Sequence, residues 1–578
     1  MKRLLLAATA AFLVAGFPAL ADNDNDNHDR NGDRNDDRDR GHVKFRLVEA
    51  TVPQIQKAIR SHVLTAERLT KMYLKRIEAY EATGPAINAY LHVNANAVRD
   101  ARRLDNLHRR GGHHHKPLFG VPVMLKDNID TDDMPNTAGS VALEGSLPPD
   151  DAFITQKLRN AGAIILGKGT LTEYANFIAI GMPTGYSSLG GFGFNPYDPR
   201  IDPRTTPPFN DGRPVLQTGG SSSGPGIGVN ANLVAVAIGT ETSGSILSPA
   251  SANGVVGIKP TVGLVSRDGI IPITADQDTA GPMTRTVTDA AIVLGVIAGY
   301  DPADPATEAC LTPGNCFDDY TRFLDKKALR GARLAVPPFP ANRTAIMEAA
   351  IATLRAKGAY VELIATYDVR IGMPQLGTCI VRPAPTNLTC STVLLYGFKR
   401  DLNAYLAATP AAPSGTLAEI IAFNNAFTPP MKYGQAIAIG AEALDVSPGS
   451  ADTARFLADR AEDLRRSKLA LDGVFNGPDG EPGTDDDFDA IIHLGNANAN
   501  VPAKAGYPSV AVPGGFNALS TLTPADPPIG VPFPSDVTFA GPAFSEPKLI
   551  ALAYAFEQAT KHRVPPASTP PLRSDTVR

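Results

Sequence analysis

The sequence predicts an α/β protein with a largely parallel or mixed central sheet. Three short apolar runs, at 119–129, 161–171 and 233–245, are typical of buried strands. Helical apolar spacing separates these runs, which is the alternation expected of an α/β fold. Hydrophobic residues make up 43% and charged residues 20% of the 578-residue chain, so a large core is available.

The N-terminus has the organisation of a secretory signal peptide. Lys2 and Arg3 precede the apolar run Leu4–Phe17, and Ala19 and Ala21 are the small residues expected before a cleavage site. The apolar run is shorter than the roughly 20 residues that span a bilayer. We therefore predict a signal peptide over residues 1–21 and a secreted or periplasmic protein with no stable membrane insertion after cleavage.

The remaining chain divides by composition. Residues 22–41 are almost entirely Asp, Asn, Arg and Gly, so they have little to bury and are predicted to be disordered. No linker or repeat interrupts residues 42–570, which are predicted to form a single domain followed by a tail at 571–578. Within that domain, residues 301–488 are mostly Ala-rich with helical periodicity and predict a helical layer.

The elements of the first third follow in order. Residues 51–110 have helical spacing, and Thr65 is a candidate helix start. The apolar run 119–129 comes next and ends in Lys126-Asp-Asn, which places a polar group at the tip of a buried strand. The runs at 161–171 and 233–245 predict two more strands, the second of which leads into a turn.

The stretch GGSSSGPG, residues 219–226, offers three interpretations. A phosphate-binding loop needs a lysine after its glycines, and none is present. A flexible linker is disfavoured because a strand-like run follows within a few residues. The third interpretation is hydrolysis that involves a serine nucleophile.

A nucleophilic serine requires a base. No histidine occurs between His113–His115 and His493, and the GxSxG motif is absent around these serines. A Ser-His-Asp triad assembled from distant segments stays open. Lysine is the other candidate base, because burial in an apolar site lowers its pKa. Lys126 has that context, and Lys168 in ILGKGTL is comparable on pattern alone.

The motifs around these residues resemble those of the amidase signature family. The resemblance is dense from about residue 48 to 298, resumes from 489 onwards and constrains 301–488 poorly, so the helical layer is expected to vary within the family. The three central motifs are GVPVMLKDNID (120–130), GGSSSGPG (219–226) and GTETSGSILSPA (239–250).

The resemblance implies an α/β/α fold, with a large mixed central sheet covered by helices on both faces, and a Ser-cis-Ser-Lys triad without metal or cofactor. Lys126 matches the buried lysine and Ser245 the nucleophile. Ser221 matches the bridging serine that follows a cis peptide bond. It lies 24 residues before Ser245, the spacing of the family, and this selects it over Ser222 and Ser223, which are expected to hydrogen-bond locally.

The family also implies an oxyanion hole made of backbone amides. Here these are the amides of Thr242, Ser243 and Gly244, and glycine permits the tight turn that aims them inward. Three positions depart from the common pattern, and the first is Ser243, which stands in place of the first Gly of Gly-Gly-Ser. Glu241 replaces the usual Asp, and Leu247 replaces an Arg, so an ion pair that supports the turn is expected to be missing.

The implied activity is hydrolysis of carboxamide C–N bonds through an acyl-enzyme. The serine triplet and IGTETSGSI look most like bacterial peptide amidases, so C-terminal peptide amides are the predicted substrates. Aryl or fatty acyl amides are the alternative, and a non-catalytic binding protein on the same scaffold is a further one. A role in aminoacyl-tRNA amidation, and nucleic acid as a partner, are disfavoured by predicted export and a net charge of −5.

Three other features leave alternatives open. Among the four cysteines, short loops favour the disulfides Cys310–Cys316 and Cys379–Cys390 in an exported protein, without excluding the other pairings. Residues 201–217 resemble an insertion that either gates the substrate or is a passive surface excursion. Residues 476–489 are rich in Asp and Gly and form either a solvated acidic loop or a Ca²⁺ site.

Overall fold

A computed structural model describes most of the chain. The residues described are 44–81, 83–111, 116–364, 380–381, 388–389, 391–427, 431–517 and 532–578. The predicted signal peptide and acidic spacer, His113–His115, Cys379 and Cys390 lie outside them. By its internal contacts, Val43–Arg578 forms one unit.

The architecture is a mixed β-sheet of eleven strands with helices packed against it. From one edge to the other, the strands are β11 (Tyr360–Leu363), β10 (Arg333–Val336), β14 (Ala490–Leu494), β16 (Phe533–Ala540), β15 (Ser509–Asn517), β8 (Val256–Lys259), β9 (Thr279–Thr284), β7 (Val236–Glu241), β3 (Pro122–Lys126), β4 (Ile164–Gly169) and β2 (Tyr90–Val93). Three two-stranded ribbons accompany the sheet: β1 (Phe45–Arg46) with β17 (Thr576–Val577), β5 (Tyr186–Ser187) with β6 (Gly191–Phe192), and β12 (Ile380–Val381) with β13 (Leu388–Thr389).

The helices of the described residues alternate with strands over part of the chain. They are α1 (Val52–Arg60), α2 (Ala66–Tyr80), α3 (Ala97–Arg109), α4 (Phe153–Asn160), α5 (Glu173–Asn176), α6 (Ser223–Asn230), α7 (Leu247–Asn253), α8 (Val287–Ile297), α9 (Thr344–Ala356), α10 (Thr392–Ala407), α11 (Leu417–Ala426), α12 (Ala436–Glu442), α13 (Ala451–Phe475), α14 (Asn500–Ala505) and α15 (Glu546–Thr560). Among the described residues, α10 to α13 follow one another without a strand between them. None of the described helices is long and apolar enough to cross a membrane.

Three neighbouring strands on one side of the sheet confirm the predicted strands. β3, β4 and β7 fall within the three apolar runs, and β3 pairs in parallel with both of the others. Every residue of these three strands is buried. Because successive side chains point to opposite faces, the sheet is covered on both faces here. The mixed α/β fold class predicted from the sequence is therefore confirmed.

The edges of the sheet depart from the prediction. β2 lies inside the segment predicted to be helical, and β10 and β11 lie inside the predicted helical layer. Each of these strands has only four residues, too few for period-2 alternation to stand out beside long helices. The helical start at Thr65 is confirmed, since its side chain accepts a hydrogen bond from Arg68 N at the beginning of α2.

The C-terminal tail is held in the fold by a buried ion pair. β17 pairs with β1, and Asp575 Oδ2 lies 2.5 Å from the guanidinium of Arg76, whose side chain is 0% exposed. The same guanidinium donates to the carbonyl oxygens of Ala231, Asn232 and Thr569. One arginine thus joins α2, the segment after α6 and the tail.

Removing this arginine should destabilise the protein. We expect Arg76→Ala to lower the free energy of unfolding by about 3–5 kcal/mol, because it leaves a buried carboxylate without its partner. The control is Arg99→Ala, whose side chain is 70% exposed beside Asp100 and should cost less than about 1 kcal/mol. Urea midpoints measure both. Similar midpoints for the two variants would show that the pair does not anchor the tail.

Candidate active site

The sequence-predicted lysine lies buried at the carboxyl end of β3. Lys126 Nζ is 2.7 Å from Ser221 Oγ, 2.8 Å from Thr240 Oγ1 and 3.3 Å from Thr240 O. None of the ion pairs among the described residues includes Lys126. Burial lowers the pKa of Lys126 from 10.5 to about 7, and the charges of Asp278 and Glu241 oppose this shift. A large fraction of the amine is therefore neutral at physiological pH.

The serine loop holds its three hydroxyls in three different ways. The peptide bond between Gly220 and Ser221 is cis, as predicted. Ser223 Oγ donates to Gly219 O at 2.8 Å, which confirms its predicted local hydrogen bond. Ser222 Oγ instead donates to Thr240 O on β7 at 3.0 Å, so the local bond predicted for Ser222 is wrong. Of the three hydroxyls, that of Ser221 contacts the lysine.

The turn after β7 brings the third predicted residue to the same place. Ser245 lies between β7 and α7, and its carbonyl oxygen accepts a hydrogen bond from Ser222 N at 3.1 Å. Thr172 N donates to Ser221 O at 3.0 Å from the other side. The structure thus brings together Lys126, Ser221 and the Ser245 turn from three separate segments. Ser245 itself is 8% exposed, so the turn lies at a small opening.

The carboxylate of Glu241 organises this turn. It accepts hydrogen bonds from Gly244 N at 2.6 Å, Ile246 N at 2.7 Å and Leu247 N at 3.1 Å. Burial raises the pKa of Glu241, and these three amides together with the charge of Lys259 oppose the rise. Three backbone amides therefore provide the support that the family's arginine, replaced here by Leu247, was expected to provide. The turn is held in place without that ion pair.

Of the three backbone amides predicted to form the oxyanion hole, one already donates to Glu241 and two do not. The amide of Gly244 already donates a hydrogen bond to Glu241, so its prediction as a free oxyanion donor is wrong. The φ of 84° at Gly244 shows the tight turn that glycine permits. The amides of Thr242 and Ser243 have no hydrogen-bond acceptor among the described residues. These two amides can therefore stabilise a developing negative charge.

A buried aspartate links the turn to the lysine electrostatically. Asp278 accepts a hydrogen bond from Thr242 Oγ1, and its other oxygen accepts from the amides of Ile273 at 2.8 Å and Thr274 at 2.9 Å. Burial raises the pKa of Asp278 to about 7, which the hydroxyl of Thr242 and the two amides oppose. Asp278 therefore titrates in the same pH range as Lys126.

The rival bases lie elsewhere. Lys168 Nζ lies 3.6 Å from Asp127 and donates to Asn136 Oδ1 at 3.0 Å, so its partners are structural rather than the serines. His493 lies within β14, where burial lowers its pKa to about 4. Lys126 is the candidate base that contacts a serine of the loop.

The sequence did not predict Thr240 as a partner of Lys126, nor Asn128 as a partner of Thr240. Thr240 Oγ1 contacts Lys126 Nζ and accepts from Asn128 Nδ2 at 3.1 Å. Both residues lie in the quoted motifs, two positions from a predicted site residue, but threonine and asparagine give no chemical signal alone. The period-2 alternation of β7 places Thr240 on the face toward the lysine only once the sheet register is known.

The other predicted features are also visible in part. Cys310 and Cys316 form a disulfide with Cα atoms 5.0 Å apart. The acidic loop 476–489 is described, and its aspartates accept hydrogen bonds from backbone amides within the loop. Among the described residues there is no group of three or more His, Cys, Asp or Glu arranged to hold a metal ion.

Comparisons with known proteins agree with this geometry. The model of the Amidase family matches residues 68–423. A probable amidase of Arabidopsis thaliana is 38% identical over 533 residues, which cover 90% of this chain and 92% of that protein. A putative amidase of Arthroderma benhamiae is 31% identical over 558 residues, which cover 90% of this chain and 86% of that protein.

Solved structures give the same result. The native peptide amidase of Stenotrophomonas maltophilia superposes with a TM-score of 0.76 at 37% identity, covering 91% of this chain and 99% of that chain. An amidase family protein from Bacillus anthracis gives a TM-score of 0.75 at 32% identity, covering 90% and 92%. Fold, site geometry and similarity over nearly the whole chain agree. The chain belongs to the amidase signature family and is an amide-hydrolysing enzyme.

Proposed function

We propose that this enzyme is exported and hydrolyses C-terminal amides of peptides through an acyl-enzyme on Ser245. The observation that carries the proposal is the 2.7 Å contact between Lys126 Nζ and Ser221 Oγ, buried beside the Ser245 turn. Similarity to the peptide amidase of Stenotrophomonas maltophilia over 99% of its chain supports this substrate class.

The contacts of the lysine favour its role as a base. A neutral amine has two N–H donors and one lone pair. Thr240 O and Thr240 Oγ1, at 3.3 and 2.8 Å from Nζ, can take both donors. The lone pair is then directed at Ser221 Oγ, whose hydroxyl can donate to it. Lys126 accepts the proton of Ser221 as Ser221 accepts the proton of Ser245, and Ser245 Oγ attacks the amide carbonyl carbon.

The turn then stabilises the tetrahedral intermediate. The amides of Thr242 and Ser243 donate to the oxyanion, and removal of one such donor typically costs about 10²–10³-fold in rate. The proton returns through Ser221 to the leaving nitrogen, so ammonia leaves and the acyl group stays on Ser245. Water, deprotonated through the same relay, then releases the peptide acid and the free serine.

Replacing each member of the relay should abolish hydrolysis of a peptide amide. We expect Ser245→Ala and Lys126→Ala each to lower kcat/KM by at least about 10³-fold, as for nucleophile and base in other serine hydrolases, and Ser221→Ala by about 10²–10⁴-fold. The measurement is ammonia release from a blocked peptide amide, with thermal unfolding to verify the fold. Aryl and fatty acyl amides in the same panel test the alternative substrate class.

The matched control is Ser223→Ala in the same loop. The hydroxyl of Ser223 contacts Gly219 O rather than the lysine. The decrease in kcat/KM should therefore stay below about tenfold. Near wild-type rates in Lys126→Ala, together with a large loss in His493→Gln, would contradict the relay and favour a serine–histidine mechanism.

The pH profile should report the lysine. Because Lys126 acts as a neutral amine and its pKa is about 7, kcat/KM for an uncharged peptide amide should rise tenfold per pH unit below about 7 and level off above it. Asp278 titrates nearby, so Asp278→Asn separates the two groups. Removing that negative charge should lower the pKa of Lys126 and shift the rising part of the pH profile, the acid limb, to lower pH. Loss of the limb in Asp278→Asn would assign it to the aspartate instead.

Export is tested at the N-terminus. The basic residues, apolar run and small residues of positions 1–21 support cleavage after Ala21. Mass spectrometry of protein recovered from the periplasm or medium of an expressing bacterium should show Asp22 as the first residue. Full-length protein confined to the cytoplasm would contradict export and leave the catalytic proposal untouched.

A further inference from the structure

A cavity of about 300 Å³ lies beside the serine loop and the catalytic turn. Gly219, at the start of the loop, and Ser248, three residues after Ser245, both line it. Asn496, also in the lining, reaches the turn: a Cβ atom on Gly244 would lie 3.3 Å from Asn496 Nδ2. The cavity therefore adjoins the place where the scissile amide must bind.

One charged side chain, that of Arg343, occurs among the described residues that line this cavity. A Cβ atom on Gly495 would lie 3.5 Å from Arg343 Nη1, which places the guanidinium next to Asn496. The ring of Phe533 lies 5.9 Å from its Cζ atom. Arg343 is half-buried, and no described residue forms an ion pair or side-chain hydrogen bond with it.

The electrostatic surroundings of Arg343 differ from those of three other half-buried arginines. Arg159, Arg267 and Arg400 each have aspartate partners that raise their pKa. Burial alone acts on Arg343 and lowers its pKa. A partly desolvated cation without a counter-ion is costly, and binding an anion relieves that cost.

The chemistry of the lining favours a carboxylate as that anion. A guanidinium binds a carboxylate through two parallel hydrogen bonds. Gln217, Ser248 and Asn496 add neutral donors to the same cavity. Arg343 also directly precedes α9, whose positive N-terminal end adds to the local potential. The volume is at the lower end for ligand pockets, enough for one side chain.

We propose that the cavity around Arg343 is a subsite for a carboxylate of the substrate, so that this enzyme prefers amides that carry an acidic group. The inference rests on the proposed function, because it assumes that the scissile amide binds at Ser245. The carboxylate comes from an acidic side chain of a peptide amide or from the α-carboxylate of an amino acid with a side-chain amide. Both sources present the same planar anion to the guanidinium.

Matched substrates test the preference. Blocked tripeptide amides with Glu or Gln at each position in turn differ by one carboxylate. We expect the wild-type kcat/KM to favour Glu by at least about tenfold at one position. Arg343→Gln should reduce that ratio to about one, and Arg343→Lys should retain part of it. Arg330→Gln, an exposed arginine, is the control that should preserve the ratio. Free glutamine and asparagine in the same panel distinguish the two sources.

A binding measurement separates this inference from the proposed function. Calorimetry with the Ser245→Ala protein requires no turnover. N-acetylglutamate α-amide should bind at least about tenfold more tightly than N-acetylglutamine α-amide, which lacks a carboxylate, and the double variant with Arg343→Gln should lose the difference. Such binding would support the subsite even if peptide amides proved to be poor substrates.

Three results would overturn the proposal. The first is a wild-type enzyme without preference for Glu at any position and without selective binding of N-acetylglutamate α-amide. The second is an Arg343→Gln variant that loses activity equally on acidic and neutral substrates. The third is a preference that persists in Arg343→Gln, which would place the anion site elsewhere.

Discussion

The burial of one amine underlies the rest of the site. Lys126 ends a strand whose five residues are all buried, and a charged amine there would be expensive. The sheet excludes water from both faces, and the two oxygens of Thr240 receive N–H groups rather than a full ionic charge. The fold thereby lowers the pKa of this amine to about 7, which is what its proposed role as a base requires. A carboxylate in direct contact with Nζ would remove this property, since it would keep the amine protonated.

The Ser245 turn depends on a second buried group, Glu241. Its carboxylate accepts hydrogen bonds from three amides of the turn at 2.6–3.1 Å and so fixes the path of the chain at Ser245, the proposed nucleophile. Lys259 extends the arrangement, because its Nζ donates to Tyr507 O at 2.6 Å while its charge favours the ionised form of Glu241. The β8–β15 contact is thus coupled to the geometry of the turn. The amides of Thr242 and Ser243 are left for the reaction.

The sequence predicted the strands around the site better than the four-residue strands at the sheet edges. β3, β4 and β7 lie within three apolar runs, and their burial follows from composition. The strands β2, β10 and β11 lie at or near the sheet edges. Each has four residues, too few for an alternation of apolar and polar residues to identify a strand. Lys126, Ser221 and Ser245 were identified through the resemblance of their motifs to those of the amidase signature family. The partner Thr240 and the guanidinium of Arg343 were not, because register and the lack of a counter-ion among the described residues are properties of the folded chain.

The most direct measurement is where a fluorophosphonate reacts. Ser221 and Ser245 lie in one tryptic fragment, since no Lys or Arg occurs between Arg213 and Lys259, so fragmentation spectra must locate the adduct. We expect one fluorophosphonate adduct, on Ser245, and a much slower rate of labelling in Lys126→Ala. An adduct on Ser221, or labelling of Ser245 at an unchanged rate without the lysine, would contradict the assignment of nucleophile and base.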